Sequence, residues 1–277
     1  MIDKPLLVLD FDGVIVDGIK EYWSSSHQTC LNIFSAKEKE RISFSSEIPA
    51  AFKTLRPWVH HGWEMVILAA ECSDKTSQLN LKGIESFSKN YSKECISALN
   101  RRGWTPFKLQ EALNQTRREA ISNNFNQWLN LHQPFSLVTQ RLKTLEKEGI
   151  EFAVLTTKSI EFTKKLLDCF DLQPKLVFGH ESGSKVDVLN QLLEKRIIRG
   201  FIEDRRTTLE KVLEDQTLRS IPCYLASWGY LKPQDRNNLP SGIKLLNLDI
   251  LREPISKWSC LNSVRLYYRF NCYSLRN

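Results

Sequence analysis

Short apolar runs that stop at polar residues or glycine recur along this chain, once near its start and four times in its second half. Runs of this length predict buried β-strands that end in loops. The predicted strands cover residues 5–11, 150–155, 175–178, 199–202 and 221–225.

Helical patterns lie between these strands. Residues 136–148 place leucines at helical spacing and end at Gly149, a typical helix C-cap. Similar apolar stripes predict helices over residues 160–170, 185–194, 207–215 and 249–258. Because strands that alternate with helices form right-handed crossovers, we expect a Rossmann-like three-layer α/β core with a central parallel sheet of about five strands.

The stretch of residues 19–134 has a different pattern, mostly helical and with no comparable run of buried strands. It interrupts the α/β pattern after the first strand, so we interpret it as an inserted helical domain. The expected organisation is an α/β core over residues 1–18 and 135–258, a helical insertion over 19–134 and a basic C-terminal tail over 259–277.

The charge of the chain favours an anionic partner. Its 277 residues include 39 Lys and Arg against 32 Asp and Glu, a formal net charge of +7. The core is balanced, whereas the insertion has 15 basic and 11 acidic residues and the tail has three arginines and no acid. No aromatic-interleaved basic stripe or nucleic-acid-binding module is recognisable. We therefore expect a small anionic substrate rather than nucleic acid.

The compartment is inferred from three features of the sequence. No apolar run approaches the roughly 18–20 residues of a membrane helix, and acids interrupt the N-terminal stretch where a signal peptide has its apolar core. The seven cysteines are scattered and form no C-x-x-C pair, which is typical of reduced thiols. We expect a cytoplasmic monomer or homodimer that does not bind a membrane.

The segment DFDGVIVD, residues 10–17, is the strongest chemical signal. Asp10 and Asp12 leave a buried strand just before Gly13, which permits a tight turn that brings both carboxylates toward one substrate. In a functional interpretation Asp10 is a nucleophile and Asp12 a proton donor and acceptor. In a structural interpretation both are turn residues at a strand end.

Four motifs in order resemble those of the haloacid dehalogenase-like (HAD) hydrolase superfamily. DFDGVIVD resembles the first, VLTTKS with Thr156 the second, Lys185 in GSKVDVL the third, and FIEDRRTTL with Glu203 and Asp204 the fourth. Residues 134–158 are similar to phosphoglycolate-phosphatase-like members, and the insertion stands where that branch has its helical C1 cap. The resemblance implies a cap that closes over the site and selects a small substrate.

The resemblance also implies roles for these residues in a Mg²⁺-dependent phosphatase of a small phosphorylated metabolite. Asp10 would form an aspartyl-phosphate, and Asp12 would act as acid and base. Thr156 would donate to a phosphoryl oxygen, and Lys185 would offset negative charge. The metal would be held by Asp10, the Asp12 carbonyl and the fourth-motif acids, with Asp204 favoured over Glu203 as the direct ligand. Thr157 and Arg56 are candidate substrate-binding residues.

Other interpretations remain open at this point. A phosphomutase would use the same aspartyl-phosphate, and a non-catalytic binding protein would keep the motifs unused. Thr156 or Thr157 would cap the helix that follows, Lys185 would be a solvated helix-start lysine, and Glu203–Asp204 would cap the next helix. Arg101 and Arg102, like Arg56, would lie either on a solvated surface or near a substrate anion.

Overall fold

The computed structural model describes residues 3–42 and 47–258. The chain divides into two compact units, one built from Met1–Asp17 and Pro134–Asn277 and the other from Gly18–Gln133. We call the first the α/β unit and the second the helical unit. The predicted basic tail, residues 259–277, lies outside the described residues.

The strands and helices alternate in the α/β unit, whereas helices dominate the other. The strands are β1 (Leu6–Leu9), β2 (Val16–Asp17), β3 (Gln133–Pro134), β4 (Glu151–Leu155), β5 (Leu176–Phe178), β6 (Ile198–Glu203), β7 (Cys223–Ala226) and β8 (Ile243–Leu246). The α-helices are α1 (Ile19–Ile33), α2 (Ala36–Lys39), α3 (Ala50–Leu55), α4 (Gly62–Ser73), α5 (Gln78–Lys89), α6 (Tyr91–Arg102), α7 (Pro106–Leu129), α8 (Ser136–Thr144), α9 (Ile160–Cys169), α10 (Lys185–Leu193), α11 (Arg206–Glu214) and α12 (Leu248–Arg252).

The α/β unit is built on a six-stranded sheet in the order β5-β4-β1-β6-β7-β8. All neighbouring strands are parallel, and β1 lies between β4 and β6. All four residues of β1 are buried, as expected for a central strand covered on both faces. The α/β core with a parallel sheet is therefore confirmed.

The sheet has one strand more than the sequence pattern indicated. Strand β8 lies at the edge, where Ile243 and Leu246 are buried but Lys244 and Leu245 are only half-buried. Its apolar run is therefore interrupted by a charged residue, and the usual signal of a buried strand is weak.

Helix α4 lies at the centre of the helical unit, packed against α1, α6 and α7. Its residues Met65 to Ala70 are all fully buried. A helix whose central residues are apolar and buried on every side needs neighbours around it, and the surrounding helices supply them. No helix among the described residues is both long enough and apolar enough to cross a bilayer.

Candidate active site

The pairing of β1 with β6 brings the acids of the first and fourth motifs together. Leu9 lies opposite Ile202, and the Asp10 N–H donates to the Ile202 carbonyl at 2.9 Å. Asp10 follows β1, and Glu203 ends β6, so both carboxylates emerge at the carboxyl edge of the sheet. This edge is where open α/β sheets place their ligands.

The loop after β1 turns tightly at Gly13, which has φ +87°. The Gly13 N–H donates to the Val16 carbonyl at 2.7 Å. A Cβ at position 13 would lie only 2.0 Å from Asp204 Oδ2, so only glycine fits there. Asp10 and Asp12 are both buried beside this turn.

Lys185 joins two of these carboxylates. It opens helix α10, whose N-cap Ser184 accepts a hydrogen bond from the Asp187 N–H. Its Nζ donates to Asp10 Oδ1 at 2.7 Å and to Glu203 Oε2 at 2.6 Å. Burial alone would lower the pKa of Lys185, but the two carboxylates raise it. Lys185 is thus a charged group built into the site and not a solvated helix-start lysine.

The pKa of the Asp10 carboxyl is raised despite the ion pair with Lys185. Burial raises its pKa to about 7, and the negative charge of Glu203 acts in the same direction. Lys185 opposes the shift only in part. The pocket therefore favours a further cation close to Asp10.

Glu203 and Asp204 have different surroundings although they are adjacent. Glu203 accepts from Lys185 through Oε2, and through Oε1 from the Asp204 and Arg205 N–H groups at 3.1 Å each. The Asp204 carboxylate accepts from the Tyr230 N–H at 2.8 Å. The N-cap residue of α11 is Arg205, and its N–H is bound by the Glu203 carboxylate.

The acidic cluster fits a divalent cation. Asp10, Glu203 and Asp204 each offer a carboxylate oxygen, and these atoms lie within 4.8 Å of one another. With Asp12 there are four carboxylates, whereas Lys185 and the neighbouring Lys158 supply two positive charges. When all six side chains are ionised they carry two excess negative charges, and carboxylate oxygens are the ligands that Mg²⁺ prefers.

Thr156 lies at the end of β4, next to β1 in the sheet. It is buried, its N–H donates to the Phe178 carbonyl at 2.9 Å, and its hydroxyl oxygen accepts from the Lys158 N–H at 3.1 Å. The hydroxyl proton can still be donated to another group. Helix α9 is capped by Ser159, not by Thr156 or Thr157. That alternative is wrong, and Thr157 is exposed.

Three arginines considered as anion ligands lie in the helical unit. Arg56 is half-buried, with its guanidinium carbon 5.1 Å from the centroid of the Tyr22 ring. Arg102 is bound to Glu71 at 3.1 Å and to Asp74 at 3.3 Å, and Arg101 also reaches Glu71. Arg101 and Arg102 thus form ion pairs with acids of the helical unit.

The structure adds residues that the sequence analysis missed. Lys158 is buried, with its Nζ 3.5 Å from Asp12 Oδ1. Gly229 and Tyr230 follow β7, and a Cβ at position 229 would lie 2.2 Å from the Asp204 Cβ. The Tyr230 hydroxyl contacts Asp17. The signals were a lysine two residues after Thr156 and a glycine between two aromatic residues after a strand.

Comparisons with known proteins identify the fold. No family model matches the sequence, and no curated protein sequence matches it significantly. A structure titled a predicted phosphatase from Clostridium acetobutylicum has a TM-score of 0.55 and 16% identity, covering 90% of this chain and 96% of that one.

Two further solved structures give the same result. One, titled a predicted phosphoglycolate phosphatase from Haemophilus somnus, has a TM-score of 0.54 and 16% identity over 91% of this chain and 98% of that one. A haloacid dehalogenase-like family hydrolase from Streptococcus pneumoniae has a TM-score of 0.50 and 15% identity, over 90% and 96%. The resemblance stated from the four motifs is confirmed at the level of the fold.

Proposed function

We propose that this chain, which has the fold of the haloacid dehalogenase-like hydrolases, is a Mg²⁺-dependent phosphatase of a small organic phosphate monoester. One observation carries the proposal: Asp10 and Glu203, joined by Lys185, lie beside Asp204 and Asp12 at the carboxyl edge of the sheet. Activated carboxylates, a fixed lysine and an acidic cluster are the parts that phosphoryl transfer needs.

In the proposed reaction an Asp10 carboxylate oxygen attacks phosphorus and the ester P–O bond breaks. Asp12 gives its proton to the leaving oxygen, which departs as an alcohol. A water molecule then attacks the aspartyl-phosphate and gives a proton to Asp12. The bond between Asp10 and phosphorus breaks, inorganic phosphate leaves, and both aspartates return to their starting states.

The metal is assigned to Asp10 and Asp204, with the Asp12 carbonyl as the third protein ligand expected from the sequence. Glu203 already accepts hydrogen bonds from three donors, which supports a role in holding Lys185 rather than direct ligation. When bound, Mg²⁺ would neutralise the excess negative charge and attract the phosphoryl group.

Two groups would stabilise the transferring phosphoryl group. The Thr156 hydroxyl, whose oxygen is held by the Lys158 N–H, would donate to a phosphoryl oxygen. Lys185 would offset charge shared between that group and Asp10. Thr157 and Arg56 stay predictions as substrate ligands, as does the role of the helical insertion as a cap.

The test is phosphate release from 4-nitrophenyl phosphate with and without Mg²⁺. We expect turnover by the wild type that EDTA abolishes. Asp10→Asn should lower kcat by at least ~10³-fold because the amide cannot attack phosphorus. Asp168→Asn, which changes an exposed carboxylate of the same unit, should behave as the wild type.

Two results would count against the proposal. Full activity of the Asp10→Asn variant would refute the nucleophile, and activity that survives EDTA would refute the metal. Interconversion of phosphosugar isomers without net phosphate release would favour the phosphomutase alternative.

A further inference from the structure

Lys158 is a buried cation at the edge of the candidate site. Its side chain is 1% exposed, and its Nζ lies 3.5 Å from Oδ1 of Asp12. Lysine is rarely buried to this degree, because removing an ammonium group from water is unfavourable unless a charge or hydrogen bond compensates. The position of Lys158 beside Asp12 therefore requires an explanation.

The backbone of Lys158 is fixed on both sides. Its N–H donates to the Thr156 hydroxyl at 3.1 Å, and its carbonyl accepts from the His180 N–H at 3.2 Å. A Cβ on Gly179 would lie 2.8 Å from that carbonyl, so the close approach of the two segments depends on glycine. Ser159 then begins helix α9. The side chain of Lys158 thus leaves a segment held by hydrogen bonds at the end of β4.

Lys158 and Lys185 each lie beside an aspartate, but at different Nζ–Oδ distances. Lys185 makes hydrogen bonds of 2.7 and 2.6 Å that join Asp10 to Glu203. Lys158 stands 3.5 Å from one Asp12 oxygen, close enough for strong attraction but beyond an ideal charge-assisted hydrogen bond. A positive charge at this distance favours orientations of the carboxylate that keep its oxygen toward the ammonium group.

We propose that Lys158 is a positioning residue that orients the Asp12 carboxyl for proton transfer to the leaving oxygen. The inference rests on the proposed function and goes beyond it. It assigns the alignment of the proton donor to Lys158, a residue to which the motif comparison gave no role. Proton donation matters most when the leaving group is a poor one. Loss of Lys158 should therefore lower kcat/KM more as the leaving oxygen becomes more basic.

The experiment measures kcat/KM for a series of aryl phosphates from 4-nitrophenyl to phenyl and 4-methoxyphenyl phosphate. Lys158→Met keeps the length of the side chain and removes its charge. We expect it to lower kcat/KM about 10- to 100-fold for phenyl phosphate, because a general acid contributes on the order of 10²–10⁴-fold. The loss for 4-nitrophenyl phosphate should be less than about 3-fold, since that leaving group needs little protonation.

Two variants accompany this measurement. Lys158→Arg restores a cation and should return the dependence on the leaving group to that of the wild type. Lys164→Met removes an exposed lysine from α9 and should change nothing. If Lys158→Met does not fold, Lys158→Gln takes its place with the same expected pattern.

Equal losses on every substrate would overturn the inference, because a structural role or a role in binding phosphate does not depend on the leaving group. A rise in KM of the same size for every ester, with kcat unchanged, would also overturn it and make Lys158 a ligand of the phosphate group. A wild type inactive on all these esters would instead refute the proposed function itself.

Discussion

The two units of this protein bury the same kinds of charged side chain but balance them differently. In the helical unit the two fully buried carboxylates, Glu21 and Glu71, are bound by arginine. Glu21 is fully buried and accepts from Arg117 at 2.7 and 2.9 Å, and Ser25 donates to the same carboxylate at 2.7 Å. Glu71 is likewise bound by two arginines.

At the sheet edge of the α/β unit, four carboxylates lie close to two lysines. Asp10, Asp12, Glu203 and Asp204 face Lys185 and Lys158. Such an excess would destabilise a site whose only purpose was structural, because like charges in a buried pocket repel one another. The excess is explained if the pocket is built to hold a cation.

The pKa shifts follow the same division. In the helical unit burial acts against the Asp74 charge, but hydrogen bonds from Thr76 and the charge of Arg102 hold its pKa below the ordinary value. In the α/β unit burial and Glu203 together raise the pKa of Asp10 to about 7. The two shifts therefore have opposite directions: the pKa of Asp74 lies below its ordinary value and that of Asp10 above it.

The largest effect should come from removing the arginine that binds a buried carboxylate in the helical unit. Arg117→Met leaves the carboxylate of Glu21 buried without the two guanidinium hydrogen bonds, so the free energy of unfolding should fall by ~3–5 kcal/mol. Urea unfolding measures this change. Arg118→Met, at the exposed neighbouring position, is the matched control and should change stability little.

The double variant Glu21→Gln/Arg117→Met sharpens this test. It removes the charge of Glu21 together with its partner, so it should regain much of the lost stability. A double variant as unstable as Arg117→Met would show that packing of Arg117, and not the charge of Glu21, causes the loss.

A smaller effect is expected from disturbing Asp204. A Cβ in Gly229→Ala would overlap the Asp204 side chain, with 2.2 Å to its Cβ and 2.9 Å to Oδ2. The Asp204 carboxylate would have to move. We expect the Mg²⁺ affinity to fall about 10- to 100-fold, as is usual when a residue that supports a metal ligand is changed. Calorimetric titration of the protein with MgCl₂ measures it directly.

Gly242→Ala is the matched control for that substitution. The three atoms nearest to a Cβ added there all belong to the side chain of Leu213, the closest at 2.7 Å. The free energy of unfolding can therefore change while the Mg²⁺ affinity stays constant. Unchanged affinity in Gly229→Ala would remove Asp204 from the metal site.

Local sequence predicted the parts of the site that follow strands directly. Asp10, Thr156 and Glu203 each come at the end of an apolar run, and parallel strands bring such ends to one edge. Lys185 was identified from the resemblance of GSKVDVL to the third motif, and it opens helix α10. For these residues the position along the chain and the position in the fold are closely linked.

The remaining residues depend on tertiary structure. Gly229 reaches Asp204 only because the segment after β7 returns toward the first loop, where the Trp228 indole N–H donates to the Val14 carbonyl at 3.0 Å. Arg102 was considered as a surface or substrate ligand, yet its partners lie 28 and 31 residues away in the chain. Which charges become buried together is decided by packing, and no local pattern records it.

The smallest expected effect is a gain in stability when one carboxylate is removed from the candidate site. In metal-free protein the Asp10 carboxyl keeps its proton up to a pH of about 7, whereas in the unfolded chain it ionises near its ordinary value of 3.8. Between these values the folded state binds more protons, so rising pH destabilises it, and the full penalty is present above pH 7. Asp10→Asn cannot ionise and escapes this penalty.

With EDTA present, Asp10→Asn should therefore have a higher Tm than the wild type at pH 8, and the difference should shrink as the pH falls to 5. We expect only a modest gain in Tm, because the substitution also removes the ion pair between Lys185 and Asp10. The Asn amide oxygen can still accept a hydrogen bond from Lys185, but it carries no charge. Asp168→Asn should show no such trend. A Tm difference that is constant with pH would mean that Asp10 ionises normally, and the contrast between the two units would then lose its clearest example.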